Sequence, residues 1–228
     1  TIAVQQTVQD RATMEICRGC IHGCRVCEAG QVYKPVRYRS KDKVLSLCRE
    51  LMKNTGYDEI SFTSLSTDDY PWLKELMEEF HKEFPHVSVS LPSLRVDAFS
   101  LELMEQLAEG KKSGLTFAAE AGTQRLRNVI NKGLTAEEIL GGCSLAFQGG
   151  WDRVKLYFML GLPTETMEDV DGIARFGYRR LDTWNQLPKE QRARDVQITI
   201  STSLLVHKRF YSFQLAQHDR GRRDTQEP

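Results

Sequence analysis

The segment VKLYFML at residues 154–160 is apolar on both faces apart from Lys155. A strand of that kind is read as buried on both sides, the habit of parallel sheets covered by helices. Five further strand-like segments recur along the chain, at 13–17, 59–63, 87–91, 115–118 and 196–201. Helical patterns separate them. Ser40 is placed to cap a helix whose stripe is Val44, Leu47, Cys48 and Leu51. Pro71 suits the first turn of the next, with Leu73, Leu76, Met77, Phe80 and Phe84 inward. Ser100 and Gly110 bracket a third helix, and another starts near Gln124. Thr135 with Glu138 forms a capping box, and Thr166 with Asp169 caps the helix after the fifth strand. Six β–α alternations predict an α/β fold, a partial (β/α)6 TIM-like barrel of parallel strands with outer helices. In such a fold chemistry sits at the C-terminal strand ends.

The informative residues cluster at those ends. Residues 17–27 follow strand one, 64–69 strand two and 92–95 strand three. Residues 120–123 follow strand four and 161–164 strand five. Residues 1–12 read as a linker from a missing upstream domain, 13–206 as the core barrel and 207–228 as a polar, truncated tail. The absent initiator Met fits a fragment or trimmed product. The 31 basic and 31 acidic residues cancel, so broad electrostatic binding of nucleic acid is not indicated. No apolar run reaches the length of a membrane span, and the first residues do not resemble a signal peptide.

Four of the six cysteines fall within residues 17–27. A secreted disulfide framework would spread them, so the cluster reads as a metal site in a reducing cytoplasm. Cys20, Cys24 and Cys27 are spaced CxxxCxxC, with Gly19 and Gly23 flanking the ligands and Arg18 and Arg25 beside them. Three thiolates on one loop hold three irons of a cubane cluster and leave the fourth open. The glycines let the loop wrap closely, and the arginines are placed to offset cluster charge. Two alternatives stand beside this. One is a zinc site using Cys17, Cys20, Cys24 and Cys27, although zinc knuckles are usually separated by a longer stretch. The other is a fully ligated, non-catalytic cluster with Cys17 as fourth ligand. Cys48 and Cys143 fit apolar helix faces, and His22 fits a solvated loop.

The stretches MEICRGCIHGCRVCEAGQVYKPVRYRS, LTFAAEAGTQRLRNVINKGLT and KLYFMLGLPTET resemble the radical SAM superfamily. More narrowly they are similar to an uncharacterised bacterial group with a cobalamin-binding-type domain before the barrel. The resemblance implies a [4Fe–4S] cluster on Cys20, Cys24 and Cys27, with S-adenosylmethionine (SAM) chelating the open iron. It implies reductive cleavage of SAM to start radical chemistry on an unidentified substrate, with a modified RNA or protein offered by analogy. It also implies an electron donor such as a flavodoxin or ferredoxin, and a cytoplasmic setting. Cobalamin would enter only through a domain absent from this chain. By position, Ser64, Ser66 and Thr67 match the place that meets the methionine amino group, and Glu120 matches an acidic SAM position. Arg125 or Arg95 would pair with the methionine carboxylate, and Gly161 would shape the adenine pocket. Val26 stands where an aromatic residue is usual, and Ala119 where proline is usual. Three expected prolines after strand six are replaced by His207, Arg209 and Ser212.

Overall fold

The computed structural model describes residues 10–98, 115–186 and 196–216, with 179–186 as backbone only. The chain divides into two compact units, Thr1–Cys20 with Tyr33–Lys112, and Ile21–Val32 with Ser113–Pro228.

The first unit is built on a parallel sheet of β1 (Ala12–Glu15), β4 (Glu59–Thr63) and β5 (Ser88–Ser90), with β4 in the middle. Register pairs Ala12 with Ile60, Met14 with Phe62 and Ile60 with Val89. Two helices share its core, α2 (Lys41–Thr55) and α3 (Leu73–Glu83). Ser40 caps α2 by accepting from the Lys43 amide, and Gly56 ends it in the left-handed region. The core joins Met14, Ile60 and Phe62 to Val44, Leu45, Cys48 and Met52 of α2, and to Leu76, Met77 and Phe80 of α3. Phe62 and Phe80 meet edge to face at 5.5 Å. Each such side chain contributes about 1.5–3 kcal/mol by leaving water. The buried stripe of α2 differs from expectation. Leu45 and Met52 are buried, while Leu47 and Leu51 are only packed against the cluster. A helix lying against a twisted sheet buries a wider arc than the i, i+3, i+4 rule marks out.

The first strand also differs from expectation. It does not run through to Cys17 but ends at Glu15. Cys17–Arg18 is a separate strand, β2, paired antiparallel with β3 (Arg37–Tyr38). The Ile16 amide still bonds the Thr63 carbonyl, and Arg39 N bonds the Ile16 carbonyl. The chain thus leaves the parallel ladder and enters the antiparallel one at a single residue.

The second unit carries β6 (Leu115–Glu120), β7 (Arg153–Leu160) and β8 (Gln197–Leu204), all parallel, with β7 central. Val154, Leu156 and Phe158 are buried, whereas Tyr157 is exposed and lies under the Lys155 ammonium. The expectation of a strand apolar on both faces holds in composition, but full burial holds for one face only. Among the described residues the helices here are α1 (Ala29–Val32), α4 (Gln124–Val129), α5 (Ala136–Gln148) and α6 (Met167–Gln186). The Thr135–Glu138 capping box opens α5 as expected. The expected helix between Ser100 and Gly110 lies outside the described residues. In both units the α/β class with parallel strands matches the sequence reading. No helix among the described residues is long and apolar enough to cross a membrane.

The turn after β6 presses backbone to backbone on α6. A Cβ on Gly122 would collide with the Asp169 carbonyl oxygen and the Ile173 amide, and one on Gly172 would lie 2.9 Å from the Gly122 oxygen. Backbone cannot step aside cheaply. Gly122→Ala is therefore expected to lower the unfolding free energy by at least about 1–3 kcal/mol. Gly56→Ala, where nothing lies within 4 Å of the new Cβ, should lose only about 1 kcal/mol through its left-handed backbone. Urea denaturation of both variants reads the contrast.

Candidate functional site

Cys17 is 3% exposed, on β2. Burial pushes its thiol pKa up, a hydrogen bond from Ser64 pulls it down, and the charges of Asp69 and Cys20 push it up again. Cys20, beyond Gly19, is half-buried and forms no disulfide. Gly19 has φ 94°, and a Cβ there would lie 2.8 Å from the Tyr33 carbonyl oxygen. Only glycine suits that position.

The loop after β4 holds the three expected hydroxyls. Ser64 Oγ and Thr67 Oγ1 are 2.9 Å apart, so these two satisfy each other. Ser66 is buried, and its Oγ has no hydrogen-bond partner among the described residues. Such a group costs about 1–3 kcal/mol unless something supplies the bond. The Thr67 amide bonds the Ser93 carbonyl, fastening this loop to the turn after β5. Arg95 lies in that turn, but its guanidinium already forks onto Asp97 at 3.1 and 2.9 Å. Its amide bonds Asp68, whose pKa is raised by burial.

In the second unit, Cys24 and Cys27 stand in a tight turn in which the Cys27 amide reaches the Cys24 carbonyl at 3.1 Å. The Gly30 amide donates to Cys27 Sγ at 3.2 Å. The loop docks on the C-terminal end of α4. Arg25 donates from its amide to the Ile130 carbonyl at 2.8 Å and from Nη1 to the Val129 carbonyl at 2.6 Å. Asn131, left-handed at φ 53°, donates to the Gly23 and His22 carbonyls at 3.1 and 3.4 Å. Arg25 is therefore a docking residue that satisfies open helix carbonyls. Arg18 likewise is held in a two-pronged bond to Glu15 at 2.9 and 2.7 Å. Of the two arginines expected to offset cluster charge, Arg18 has a carboxylate partner, while Arg25 bonds neutral carbonyls and keeps its charge. Val26 packs against Ala121, Leu126, Ile130, Leu162 and Leu205, so it serves an apolar cluster shared by the turns after β6, β7 and β8.

Glu120 ends β6 at a register shift with φ 67°, a costly conformation for a residue with a Cβ. Its carboxylate meets Lys132 at 3.2 Å. The protein itself thus provides a partner for this acid, whose place matches an acidic SAM position by resemblance. Gly161, at φ 75°, donates its amide to the buried Glu165 carboxylate at 2.7 Å, which closes the turn after β7. Arg125 reaches across to the Thr164 carbonyl at 2.8 Å and to Asp169.

Asp169 is the residue that sequence reasoning undervalued. It was read as a helix cap, and it does accept from the Thr166 amide and hydroxyl at 2.8 Å each. It also accepts from Thr123 and Arg125. Its side chain is 2% exposed. Burial raises its pKa, but the hydrogen bonds from Thr123, Arg125 and Thr166 outweigh this and hold it at about 2. The signal was a run of polar residues, 164–166 and 169, beside an apolar strand, of which Glu165 and Asp169 are buried.

Residues 14–177 match the Radical SAM superfamily. The chain belongs to the radical SAM superfamily. An uncharacterized protein of Methanocaldococcus jannaschii is 34% identical over 206 residues, 90% of this chain and 43% of that protein. A putative methylthiotransferase of the same organism is 25% identical, over 68% of this chain and 36% of its own length. The chain thus spans less than half of the curated relatives it matches. Among solved structures it is similar to the radical SAM methyltransferase TsrM from Kitasatospora setae, with cobalamin and a [4Fe–4S] cluster bound. The TM-score is 0.68 at 17% identity, covering 90% of this chain and 38% of that one. Coproporphyrinogen III oxidase from Escherichia coli, a radical SAM enzyme, gives 0.60 at 15% identity, covering 92% and 47%. At these identities the likeness shows the fold, the parallel α/β class of the superfamily.

Removing the Asp169 charge tests this part of the radical SAM core. The folded pKa lies below the ordinary carboxylate value of 3.8. The stabilisation is thus full above about pH 4 and is lost as pH falls toward 2. It amounts to about 2 kcal/mol. Asp169→Asn is expected to unfold more easily at pH 7, with Arg125 left beside a neutral amide. The gap to the parent protein should close as the pH is lowered to about 2. Chemical denaturation at stepped pH measures both.

Proposed function

We propose that this chain is the core of an enzyme that holds a [4Fe–4S] cluster on Cys20, Cys24 and Cys27 and uses it to cleave SAM reductively. The observation that carries the reading is the split among the four clustered cysteines. Three are half-exposed on the loop, while Cys17 is buried in β2 and hydrogen-bonded to Ser64. The donor set fits the cluster chemically. The thiols form no disulfide, and the Gly30 amide is aimed at Cys27 sulfur, an interaction that stabilises a thiolate. When bound, the cluster supplies one electron to SAM, breaking a C–S bond to give methionine and a deoxyadenosyl radical.

The chain's own residues divide the remaining work. Ser66 offers its unused hydroxyl to the SAM ammonium, and the Ser64–Thr67 pair shapes the loop around it. Glu120 offers its second carboxylate oxygen to an ammonium or a ribose hydroxyl. Gly161 and Val26, with Leu162, provide a backbone edge and an apolar wall for adenine. Arg95 and Arg125, each already held by a carboxylate, keep only part of their donor capacity for the methionine carboxylate. An electron donor of the flavodoxin or ferredoxin kind supplies the electron. Residues 13–206 form the catalytic core, 1–12 lead into it, and 207–228 follow it. The likeness to a cobalamin-bound methyltransferase supports a cobalamin-assisted reaction in which the cobalamin is held outside these 228 residues. The reading of a non-catalytic module with Cys17 as fourth ligand is disfavoured by the burial of that thiol.

Anaerobic reconstitution tests the proposal. Cys20→Ala, Cys24→Ala and Cys27→Ala should each lose most of the bound iron and sulfide, while Cys17→Ala should retain the full complement. Addition of SAM should change the EPR signal of the reduced protein. A folded, cluster-loaded protein whose signal ignores SAM, and which does not cleave it, would overturn the reading.

A further inference from the structure

Three arginines line one small cavity in the first unit, and the SAM chemistry above employs none of them. The two-residue ladder between β2 and β3 sets Arg18 directly opposite Arg37. Paired residues share a face of the ladder, and so do residues two apart. Arg18, Arg37 and Arg39 therefore stand on one side. Like charges directly opposite each other destabilise an antiparallel pair. The single Glu15 carboxylate offsets only part of that repulsion, and an anionic ligand would offset the rest.

The cavity measures about 230 Å³ and is lined by Glu15, Cys17, Arg18, Arg37, Tyr38 and Arg39. Glu15 is the lone acid in that lining. Its carboxylate is committed to Arg18, and its backbone oxygen accepts from Arg39 Nε at 2.9 Å. The terminal nitrogens of Arg39 and the whole guanidinium of Arg37 make no hydrogen bond or ion pair among the described residues. The lining thus carries two positive charges in excess. The strand that presents them is anchored, because Tyr70 donates to the Arg39 carbonyl at 2.9 Å and Arg39 N bonds Ile16. A second cavity of about 390 Å³ shares Glu15, Cys17 and Arg18 and extends to Gly19, Tyr33 and Ser64.

We propose that the Arg18–Arg37–Arg39 face binds the phosphomonoester group of a small ligand. Planar guanidinium forks match phosphate oxygens in pairs. A phosphomonoester carries roughly −1.5 to −2 near neutrality, close to the excess charge of the lining. A polyanion is a poorer match, because the chain as a whole has no net charge. The adjoining cavity leaves room for the organic part of the ligand on the side of Ser64. The binding site stands without the SAM reading; only the role of anchoring a substrate rests on it.

Equilibrium calorimetry on the full chain, with and without reconstituted cluster, tests the site. The probes are inorganic phosphate, ribose 5-phosphate, neutral ribose and a single-stranded oligonucleotide. Ribose 5-phosphate should bind, ribose should not, and phosphate alone should compete. Arg37→Ala should weaken binding at least tenfold, and Arg37→Lys should restore it only in part. Without ligand, Arg37→Ala should melt at or above the parent temperature, since a like-charge contact is removed. Melting well below the parent would assign Arg37 a structural role and overturn the proposal. It is also overturned if sodium chloride at equal ionic strength displaces the ligand fully, if Arg37→Ala binds unchanged, or if the oligonucleotide binds more tightly per phosphate. Loss of SAM cleavage with phosphate binding intact would count against the SAM reading alone.

Discussion

A single buried carboxylate organises the second unit. Asp169 sits at the start of α6 and accepts from the turn after β6, from α4 and from its own helix terminus. A charge so buried is tolerable only with its hydrogen bonds complete. That requirement fixes three chain segments relative to one another. Thr123 is also the cap of α4, accepting from the Leu126 amide. The far end of α4 in turn receives Arg25 and Asn131, which seat Cys24 and Cys27. One ion pair is therefore linked, through a six-residue helix, to the placement of Cys24 and Cys27.

Strain is gathered at the same strand ends. Glu120 and Thr164 both adopt positive φ, a state that costs of the order of 1–3 kcal/mol for such residues. Each is over-determined by its neighbours. Lys132 holds the Glu120 carboxylate, and Arg125 holds the Thr164 carbonyl and hydroxyl. The two bent residues face their side chains and carbonyls in directions that a regular strand would not allow. Backbone distortion at the C-terminal edge of a parallel sheet is where a catalytic α/β fold keeps its working groups.

Much of this was legible in the sequence because it is local. The strand at residues 59–63 appears with those limits, and the Thr135–Glu138 box and the Ser40 cap act within one turn. The cysteine spacing is local too, and it leads directly to the family. What escaped is non-local. The β2–β3 ladder joins two charged dipeptides nineteen positions apart by register, and no periodicity announces it. Arg125 reads as available for a ligand carboxylate because Asp169, 44 positions away, becomes its partner only in the fold, whereas Arg95 finds its partner Asp97 two positions on. Lys132 is invisible as the partner of Glu120 until the chain turns at Asn131. The stripe of α2 was off because sequence alone does not say how a helix rolls on a twisted sheet.

Gly19 passes close beside Tyr33, with no room for a Cβ between them. The two residues bracket the segment that carries Cys20, Cys24 and Cys27, and backbone contact there closes its neck. The entropy of bringing the loop's ends together is thus lost during folding of the polypeptide. A cluster held as proposed on Cys20, Cys24 and Cys27 would load onto a loop whose ends are already joined, unlike small zinc domains whose folding waits for the ion.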